Sequence, residues 1–299
     1  MAGFILLVLL LLMHPSAPDL FPSRDSQPSV SLLYASSGSM AQLLNTGQID
    51  AFLIWEPIVS NAELSGIGKR IAVPSDLPPP GKWDNAAINI LVLRDDTIQA
   101  HPDLAALLSA LTTAAIDRTN EDTPLAENIT AHWVYGTGPI LTPQGTLDPL
   151  AVEQRSFENM VFTPDAAPPE ASIVEYTINS MTGETGSYDP MMWVDSTVPA
   201  RAAYFLNGTA VPTIDPALPT LNIGYIPSSD NYAPVYVMVK DSEYFCDRYG
   251  FCLVPDDPSL SRPVTCTLLV NGTPTAHINL IMGQSGGGIM TTIGQNALE

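Results

Sequence analysis

The chain alternates short apolar segments of strand length with longer segments of helical periodicity, and this alternation limits the fold more than any other feature. Residues 49–55 are apolar except for Asp50, and residues 86–93 form a second apolar run. Residues 102–118 instead place leucine and alanine at helical spacing. Such apolar strands are typical of a parallel sheet that is covered on both faces. The sequence therefore predicts an α/β fold with parallel strands.

Proline marks the points at which we expect helices to begin. It follows a residue that can cap or tolerate a helix boundary in four dipeptides, and its missing N–H costs nothing at the first helical position. These dipeptides are Glu56-Pro57, His101-Pro102, Thr123-Pro124 and Asp148-Pro149. A shorter helix is expected from Ser37 to Asn45, ended by Gly47.

The last part of the chain returns to strand–loop–helix order after an irregular stretch. Residues 161–218 are broken up by Pro, Ser, Thr, Gly and Asp, so we interpret them as a linker or insertion. The remaining predicted elements are strands at 70–73, 173–178, 202–206, 221–226, 251–254, 264–270 and 276–282, with helices over 235–245 and from 289 onwards.

Composition limits the partners that the chain can have. Its 31 acidic and 11 basic residues give a net charge of −20, which opposes binding to nucleic acid because that affinity comes mainly from Lys and Arg. The same charge opposes adhesion to an anionic membrane surface. A small anionic ligand is still compatible, because a few N–H groups at a helix start act locally. The length of 299 residues, 45% of them hydrophobic, suits one two-lobed domain or two ordinary domains.

Two features of the sequence, an apolar run near its start and its cysteines, bear on the cellular compartment in which the protein works. Phe4–Met13 is an apolar run too short to span a bilayer, which predicts a signal-peptide core with a linker to residue 29; a buried element of the fold is the alternative. Cys246 and Cys252 flank five residues, which suits a small disulfide loop in an oxidising compartment and leaves Cys266 over. Three buried thiols in a reducing compartment would fit equally well. The spacing fits no zinc or iron–sulfur pattern, so no metal or cofactor is expected.

Three triplets have the form that accepts N-linked glycans. They are Asn128-Ile-Thr, Asn207-Gly-Thr and Asn271-Gly-Thr. Such triplets often arise by chance, and Pro274 disfavours the third.

A glycine-rich turn near the end of the chain allows three interpretations. Residues 283–287 have the G-x-S-x-G form of the α/β-hydrolase nucleophile elbow. That fold needs a His after the Ser, whereas no His follows Ser285, so a serine hydrolase is kept only as an alternative. The same turn would bind an anion through N–H groups around Gly286 and the side chains of Gln284 and Ser285. A tight connection with no ligand would also fit.

Two other groups of polar residues follow predicted strands, at the sheet edge where α/β folds bind ligands. Trp55 could cover a ligand and Glu56 could accept a hydrogen bond from it; core packing for Trp55 and a helix-start carboxylate for Glu56 are the alternatives. The second group would also suit an ordinary turn. It consists of Ser228, Ser229, Asp230, Asn231 and Tyr232.

Several stretches resemble the substrate-binding proteins of ABC importers, in the nitrate/sulfonate/taurine (NMT1-like) family. Residues 42–70 resemble the second lobe of that family, with IDAFLIWEP as their most specific piece. Residues 221–240 and 283–299 resemble the opening of the first lobe, through IGYIPSSDNYAP and IMTTIGQNALE. Because the family has its first lobe first, the resemblance implies a permuted order with part of the family's middle missing.

The resemblance implies a type II periplasmic-binding-protein-like α/β fold with two lobes, permuted or incomplete. It also implies a non-catalytic protein, exported to the periplasm or cell surface, that captures a small anionic or zwitterionic solute for an ABC permease. Contact with the membrane would come only through the permease or an uncleaved leader. The ligand-binding residues that it implies are Trp55, Glu56, Ser228, Ser229, Asp230, Tyr232, Gln284, Ser285 and Gly286.

This interpretation divides the chain into five segments. They are a signal peptide and linker (1–29), a second-lobe segment (30–85), a return strand with helices of the first lobe (86–160), a linker or insertion (161–218) and the opening of the first lobe (219–299). The alternative is a remnant that joins two pieces of binding proteins and binds nothing.

Overall fold

The computed structural model describes residues 30–77, 80–81, 89, 91–164, 195–214 and 220–283. The chain divides into two compact units. The first unit comprises Met1–Leu53, Ile71–Ile88 and Ala167–Val194, and the second comprises Ile54–Arg70, Asn89–Ala166 and Asp195–Glu299.

The described part of the first unit contains one short helix between turns. A 3₁₀ turn at Ser37–Ser39 leads into α1, Met40–Asn45, which confirms the predicted helix. Gly47 ends it with a φ of 69°, a backbone conformation that glycine adopts without strain. A second 3₁₀ turn lies at Pro74–Asp76.

Two predicted strands are wrong. Residues 49–55 and 70–73 are described and carry no strand pairing. Apolar composition alone does not make a strand, because the backbone must also find a neighbour with which to exchange hydrogen bonds. Half of the predicted strand at 86–93 falls outside the described residues, and its described residues 89 and 91–93 carry no strand pairing. The predicted strand at 173–178 and the predicted helix from 289 lie wholly outside the described residues.

Helices at the predicted prolines form most of the helical layer of the second unit. Aspartate side chains cap two of them: Asp122 Oδ1 accepts from Leu125 N at 3.2 Å, and Asp148 Oδ1 accepts from Leu150 N at 3.1 Å. The helices at predicted prolines are α2 (Ile58–Leu64), α4 (Pro102–Glu121), α5 (Thr123–Tyr135) and α6 (Pro149–Phe157). Helix α3 (Asp95–Ala100) begins without a proline and was not predicted.

The strand predicted at 202–206 is wrong, because this stretch lies in helix α7, Thr197–Leu206. Asp195 Oδ1 accepts from the amides of Thr197 and Val198, at 2.7 and 3.3 Å, and so satisfies the start of the helix. The apolar residues Val198, Ala202 and Phe205 recur at helical spacing and are all buried.

The strands predicted after residue 220 are confirmed in position. The strands of the second unit are β1 (Ile140–Thr142), β2 (Gly145–Leu147), β3 (Leu221–Tyr225), β4 (Phe251–Pro255), β5 (Thr265–Val270) and β6 (Thr273–Met282). Four of them form one sheet in the order β3-β6-β5-β4, while β1 and β2 make a separate small hairpin.

The expected parallel arrangement holds only for β3 and β6, and the other pairs in this sheet are antiparallel. Asn271-Gly272 joins β5 to β6 with positive φ at both positions, 49° and 74°. Such a two-residue turn matches the twist of an antiparallel hairpin, whereas parallel strands need a crossover of a dozen residues or more.

The helix predicted over 235–245 is two helices. They are α8, Ala233–Lys240, and α9, Ser242–Tyr249, with a break at Asp241. The Asp241 carboxylate accepts from Arg118 Nε at 2.7 Å, so it pairs with α4 at the break. Beyond α9, Gly250 has a φ of 76°, and a disulfide joins Cys246 to Cys252, whose Cα atoms are 4.9 Å apart. Cys266 is buried and free.

The core of the second unit lies between the sheet and the helices α4, α5 and α8. Trp133 and Tyr236 stack with ring centroids 4.6 Å apart and an interplanar angle of 13°, and Tyr225 meets Trp133 edge-on at 5.8 Å. All three side chains are buried. Aromatic pairs in these geometries contribute beyond the area they bury.

The side chain of Arg262 caps the carboxyl end of α5. Its guanidinium donates from Nε to the Trp133 carbonyl and from Nη2 to the Val134 carbonyl, two acceptors that the helix itself leaves unpaired.

We expect Arg262→Gln to lower the free energy of unfolding by about 2 kcal/mol, the usual cost of losing charge-assisted hydrogen bonds. Urea denaturation measures this change. The matched control is Arg248→Gln on the exposed surface, which we expect to change the midpoint little; equal effects of the two variants would contradict the assignment.

Candidate functional site

The polar loop after β3 is held in place by hydrogen bonds from one tyrosine, Tyr236. Ser229 and Asp230 are fully buried, and a single 3₁₀ turn spans Asp230–Tyr232 before α8 begins. Tyr236 Oη donates to the carbonyls of Ile226 and Ser229, at 3.1 and 2.8 Å. The loop therefore has a set conformation at the carboxyl end of its strand. Ser228 and Tyr232, also predicted here, are partly buried.

The structure brings the second predicted group to the same loop. The Asp230 amide donates to the Glu56 carbonyl at 3.3 Å, so Trp55-Glu56 runs beside the turn that holds Ser229 and Asp230. These residues all belong to the second unit. Two groups of residues more than 170 positions apart in the sequence therefore meet in one place.

The Glu56 carboxylate lies at a helix start, which was the alternative role considered for it. Its Oε2 accepts from Ser60 N of α2 at 3.0 Å, and its Oε1 lies 2.7 Å from Arg70 Nη2. Arg70 Nη2 also pairs with Glu63, at 2.9 Å. The ion pair and the helix start together hold this buried carboxylate in place.

The glycine-rich turn starts beside the same loop. Gly283 N donates to the Tyr225 carbonyl at 2.8 Å, in continuation of the parallel pairing of β3 with β6. The carboxyl ends of these two strands therefore share one edge of the sheet, as predicted. Gln284, Ser285 and Gly286 lie outside the described residues, so their contribution to a site stays a prediction.

Helix α6 adds two residues that the sequence did not single out. Ser156 Oγ donates to Asp230 Oδ2, and the fully buried Glu153 lies against the Asp230 carboxyl. The signal in the sequence was weak. It consists of an acid and a serine three residues apart on a helix, at positions that turn out to face inward.

Burial controls the charge of this acid pair. It raises the pKa of Glu153 to about 11, with the neighbouring Asp230 acting in the same direction. It also raises the pKa of Asp230 to about 7, although hydrogen bonds with Glu153 and Ser156 act against the increase. Tyr135 has its pKa raised by burial and then by the same two acids. At neutral pH Glu153 therefore holds a proton, while Asp230 is close to the point where it loses one.

Buried polar atoms without a hydrogen-bond partner are concentrated here. Folded proteins leave few buried polar atoms unpaired, so a group of such atoms among the described residues needs an explanation. A polar ligand would supply the missing partners. The atoms around the loop are Trp55 Nε1, Ser229 Oγ and Asn231 Nδ2. The carboxyl groups of Glu153 and Asp230 instead partner each other.

The two best-formed cavities among the described residues lie elsewhere. One, of about 150 Å³, is lined by Asp103 and Arg201, which form an ion pair across it. The other, of about 90 Å³, lies beside the end of α7 and is lined by Gly208 and Val211. Neither contains a predicted ligand-binding residue.

The described residues contain no cluster of metal ligands and no helix that could span a membrane. No group of three or more His, Cys, Asp or Glu side chains in that part of the chain is arranged to hold a metal ion. None of the helices described is both long and apolar enough to cross a bilayer.

Comparison with known proteins supports the resemblance found in the sequence. A family model described as the NMT1-like family matches residues 17–134, which is less than half of the chain. The match includes Trp55 and Glu56 but ends before α6 and the loop at 228–232. No curated protein and no solved structure matches the chain. Over residues 17–134 the chain is thus similar to a family of solute-binding proteins, while the permuted order of its segments stays a prediction.

Proposed function

We propose that the protein captures a small anionic or zwitterionic solute outside the cytoplasm and delivers it to an ABC importer. The observation that carries this proposal is the meeting of Trp55-Glu56 with the loop at 228–232, amid buried polar atoms that lack partners. The match of residues 17–134 to the NMT1-like family supports the same class of function. A fixed loop suits this role, because a site that is already ordered loses little entropy when the solute binds.

The charges around the loop favour a zwitterionic solute over a simple anion. An ammonium group would donate to the Asp230 carboxylate, whose partners in the described structure are Ser156 and Glu153. A sulfonate or carboxylate at the other end of the solute would accept from Trp55 Nε1 and Asn231 Nδ2, two buried donors without a partner. Nitrate has no hydrogen to donate and would be repelled by Asp230 in its charged form. Among nitrate/sulfonate/taurine-like solutes, we therefore expect a taurine-like compound to bind best.

Titration calorimetry tests this proposal with nitrate, taurine, alkyl sulfonates, bicarbonate and thiamine precursors. We expect heat from the zwitterion, and at least tenfold weaker binding in Asp230→Asn, because a charge-assisted hydrogen bond contributes about 1.5–3 kcal/mol. The matched control, Asp247→Asn on the exposed face of α9, should bind as the unaltered protein does. Because the pKa of Asp230 is about 7, affinity for an ammonium group should rise between pH 6 and pH 8. Affinity for a pure anion should fall over that range.

The absence of heat with every solute, from protein that circular dichroism shows to be folded, would count against the proposal. That result would favour the alternative of a remnant that binds nothing. Binding of nitrate alone, weakening as the pH rises, would keep the solute-binding class but reject the role assigned to Asp230.

A further inference from the structure

The turn that ends α7 carries one of the three glycosylation triplets on an open surface. Asn207, Gly208 and Thr209 are all exposed, and Gly208 has a φ of 71°. Asn207 Oδ1 accepts from Thr209 N at 3.0 Å and from Thr209 Oγ1 at 2.6 Å. The amide and the hydroxyl of the triplet thus lie together on one turn, and no described residue covers them.

We propose that Asn207 is an acceptor for N-linked glycosylation, which rests on the export that the proposed function requires. The donor would be an oligosaccharide carried on a polyprenyl diphosphate. The Asn207 Nδ2 atom forms a bond to C1 of the first sugar as the C1–O bond to the diphosphate breaks. The polyprenyl diphosphate leaves with the electron pair of that bond, and the amide proton passes to a base of the transferase. No oxidant or reductant takes part.

The disulfide between Cys246 and Cys252 is a second, independent observation that agrees with this route. Disulfides form and persist in oxidising compartments, and the secretory pathway is one of them. Glycan transfer to exported chains also takes place outside the cytoplasm, so the disulfide agrees with the export that the proposal needs.

Exposed apolar side chains next to the turn give the glycan a surface to cover. Tyr204 is 56% exposed and Val211 67% exposed, one on each side of the triplet. The Tyr204 carbonyl accepts from Thr209 N at hydrogen-bond distance, which fixes the turn against this part of the helix. A sugar at Asn207 would shield apolar surface that is otherwise open to water.

The two other triplets lie in less suitable settings. Asn128 is within α5, and the Thr130 that completes its triplet is fully buried. Asn271 is held in the tight β5–β6 turn, where its Oδ1 lies 2.9 Å from the position that a Cβ on Gly250 would take. Pro274 follows that triplet directly. The structure therefore singles out Asn207.

Cell-free translation with endoplasmic-reticulum microsomes tests the proposal. The full chain is placed behind a cleavable secretion signal, and only chains protected from added protease are scored. We expect one glycan, removed by an endoglycosidase and absent from Asn207→Gln and Thr209→Ala. Thr209→Ser keeps the hydroxyl and should keep the glycan. Asn128→Gln and Asn271→Gln are the matched controls and should keep it as well.

The proposal would be overturned if the protease-protected chains carried no glycan, or if the Asn207→Gln variant still carried one. Its outcome is separate from that of the solute-binding test. A glycan at Asn207 on a protein that binds no solute would reject solute binding alone, and solute binding by a protein without the glycan would reject this inference alone.

Discussion

Replacing Glu153 with Gln is expected to stabilise the protein by about 3 kcal/mol at pH 7 and to flatten the dependence of its stability on pH. Folding raises the pKa of Glu153 from 4.5 to about 11, chiefly through burial. At pH 7 the folded state must therefore hold a proton that the unfolded state has released. With one pKa unit equal to about 1.4 kcal/mol, that requirement costs about 3 kcal/mol. Gln keeps the shape of the side chain and needs no proton.

The sign follows from which state binds the proton more tightly. A carboxyl whose pKa is higher in the folded state contributes its full stability below the unfolded pKa of 4.5 and loses it as the pH rises towards about 11. The unaltered protein should therefore lose stability steadily between pH 5 and pH 9, and Glu153→Gln should lose much less. Asp230 adds to the loss between about pH 4 and pH 7, because folding raises its pKa from 3.8 to about 7.

Urea denaturation at pH 5, 7 and 9 measures the effect. The matched control is Glu243→Gln, an exposed acid on α9, which should follow the unaltered protein at each pH. If Glu153→Gln kept the full pH dependence, or destabilised the protein at pH 9, Glu153 would be ionised in the folded state. The assignment of a proton to Glu153 at neutral pH would then be wrong.

The ionisation of this pair connects stability to the proposed function. Binding of an ammonium group would favour the charged form of Asp230, whereas the unliganded fold favours the neutral form because the carboxyl is buried. A solute that supplied the missing positive charge would therefore remove part of the cost of burial. Ligand binding should then stabilise the protein more at pH 8 than at pH 6.

Local patterns in the sequence predicted those elements whose signals are themselves local. The Pro149 start of α6 and the strand Leu221–Tyr225 were found because capping, helical spacing and apolar runs depend on neighbouring residues. Residues 202–206 were misassigned because this continuous apolar run is too short to show a helical repeat, and the capping Asp195 lies several positions earlier.

The site was predicted only in part, for a physical reason. The loop at 228–232 could be recognised because it is polar and follows a strand. Its contact with Glu56, and the hydrogen bond from Ser156 to Asp230 across 74 positions of sequence, depend on how distant segments pack. Glu153 was missed because a lone acid on a short helix is normally exposed, and only the fold shows that it is buried. The antiparallel direction of β4, β5 and β6 was missed for the same reason, since an apolar run does not specify the direction of its neighbour.

Replacing Trp133 with Ala is expected to lower the free energy of unfolding by about 4 kcal/mol, the largest loss that we predict for a single substitution. Trp133 is fully buried in the second unit and packs face to face on Tyr236 and edge-on against Tyr225. Truncation would leave a cavity that the surrounding helices and sheet could fill only in part. The matched control is Leu141→Ala in the β1–β2 hairpin, where the side chain is 82% exposed and its loss should change stability by less than about 0.5 kcal/mol.

The same substitution should also loosen the candidate site. Tyr236 positions the loop through its hydrogen bonds to Ile226 and Ser229, and it keeps that position by stacking on Trp133. Amide hydrogen exchange should therefore speed up in residues 228–232 before it does so in β4 and β5. Trp133→Phe retains part of the stacking, so it should show a smaller effect of the same kind if the Ala variant does not fold. Unchanged exchange in the loop of a destabilised Phe variant would show that the aromatic stack supports the core without positioning the site.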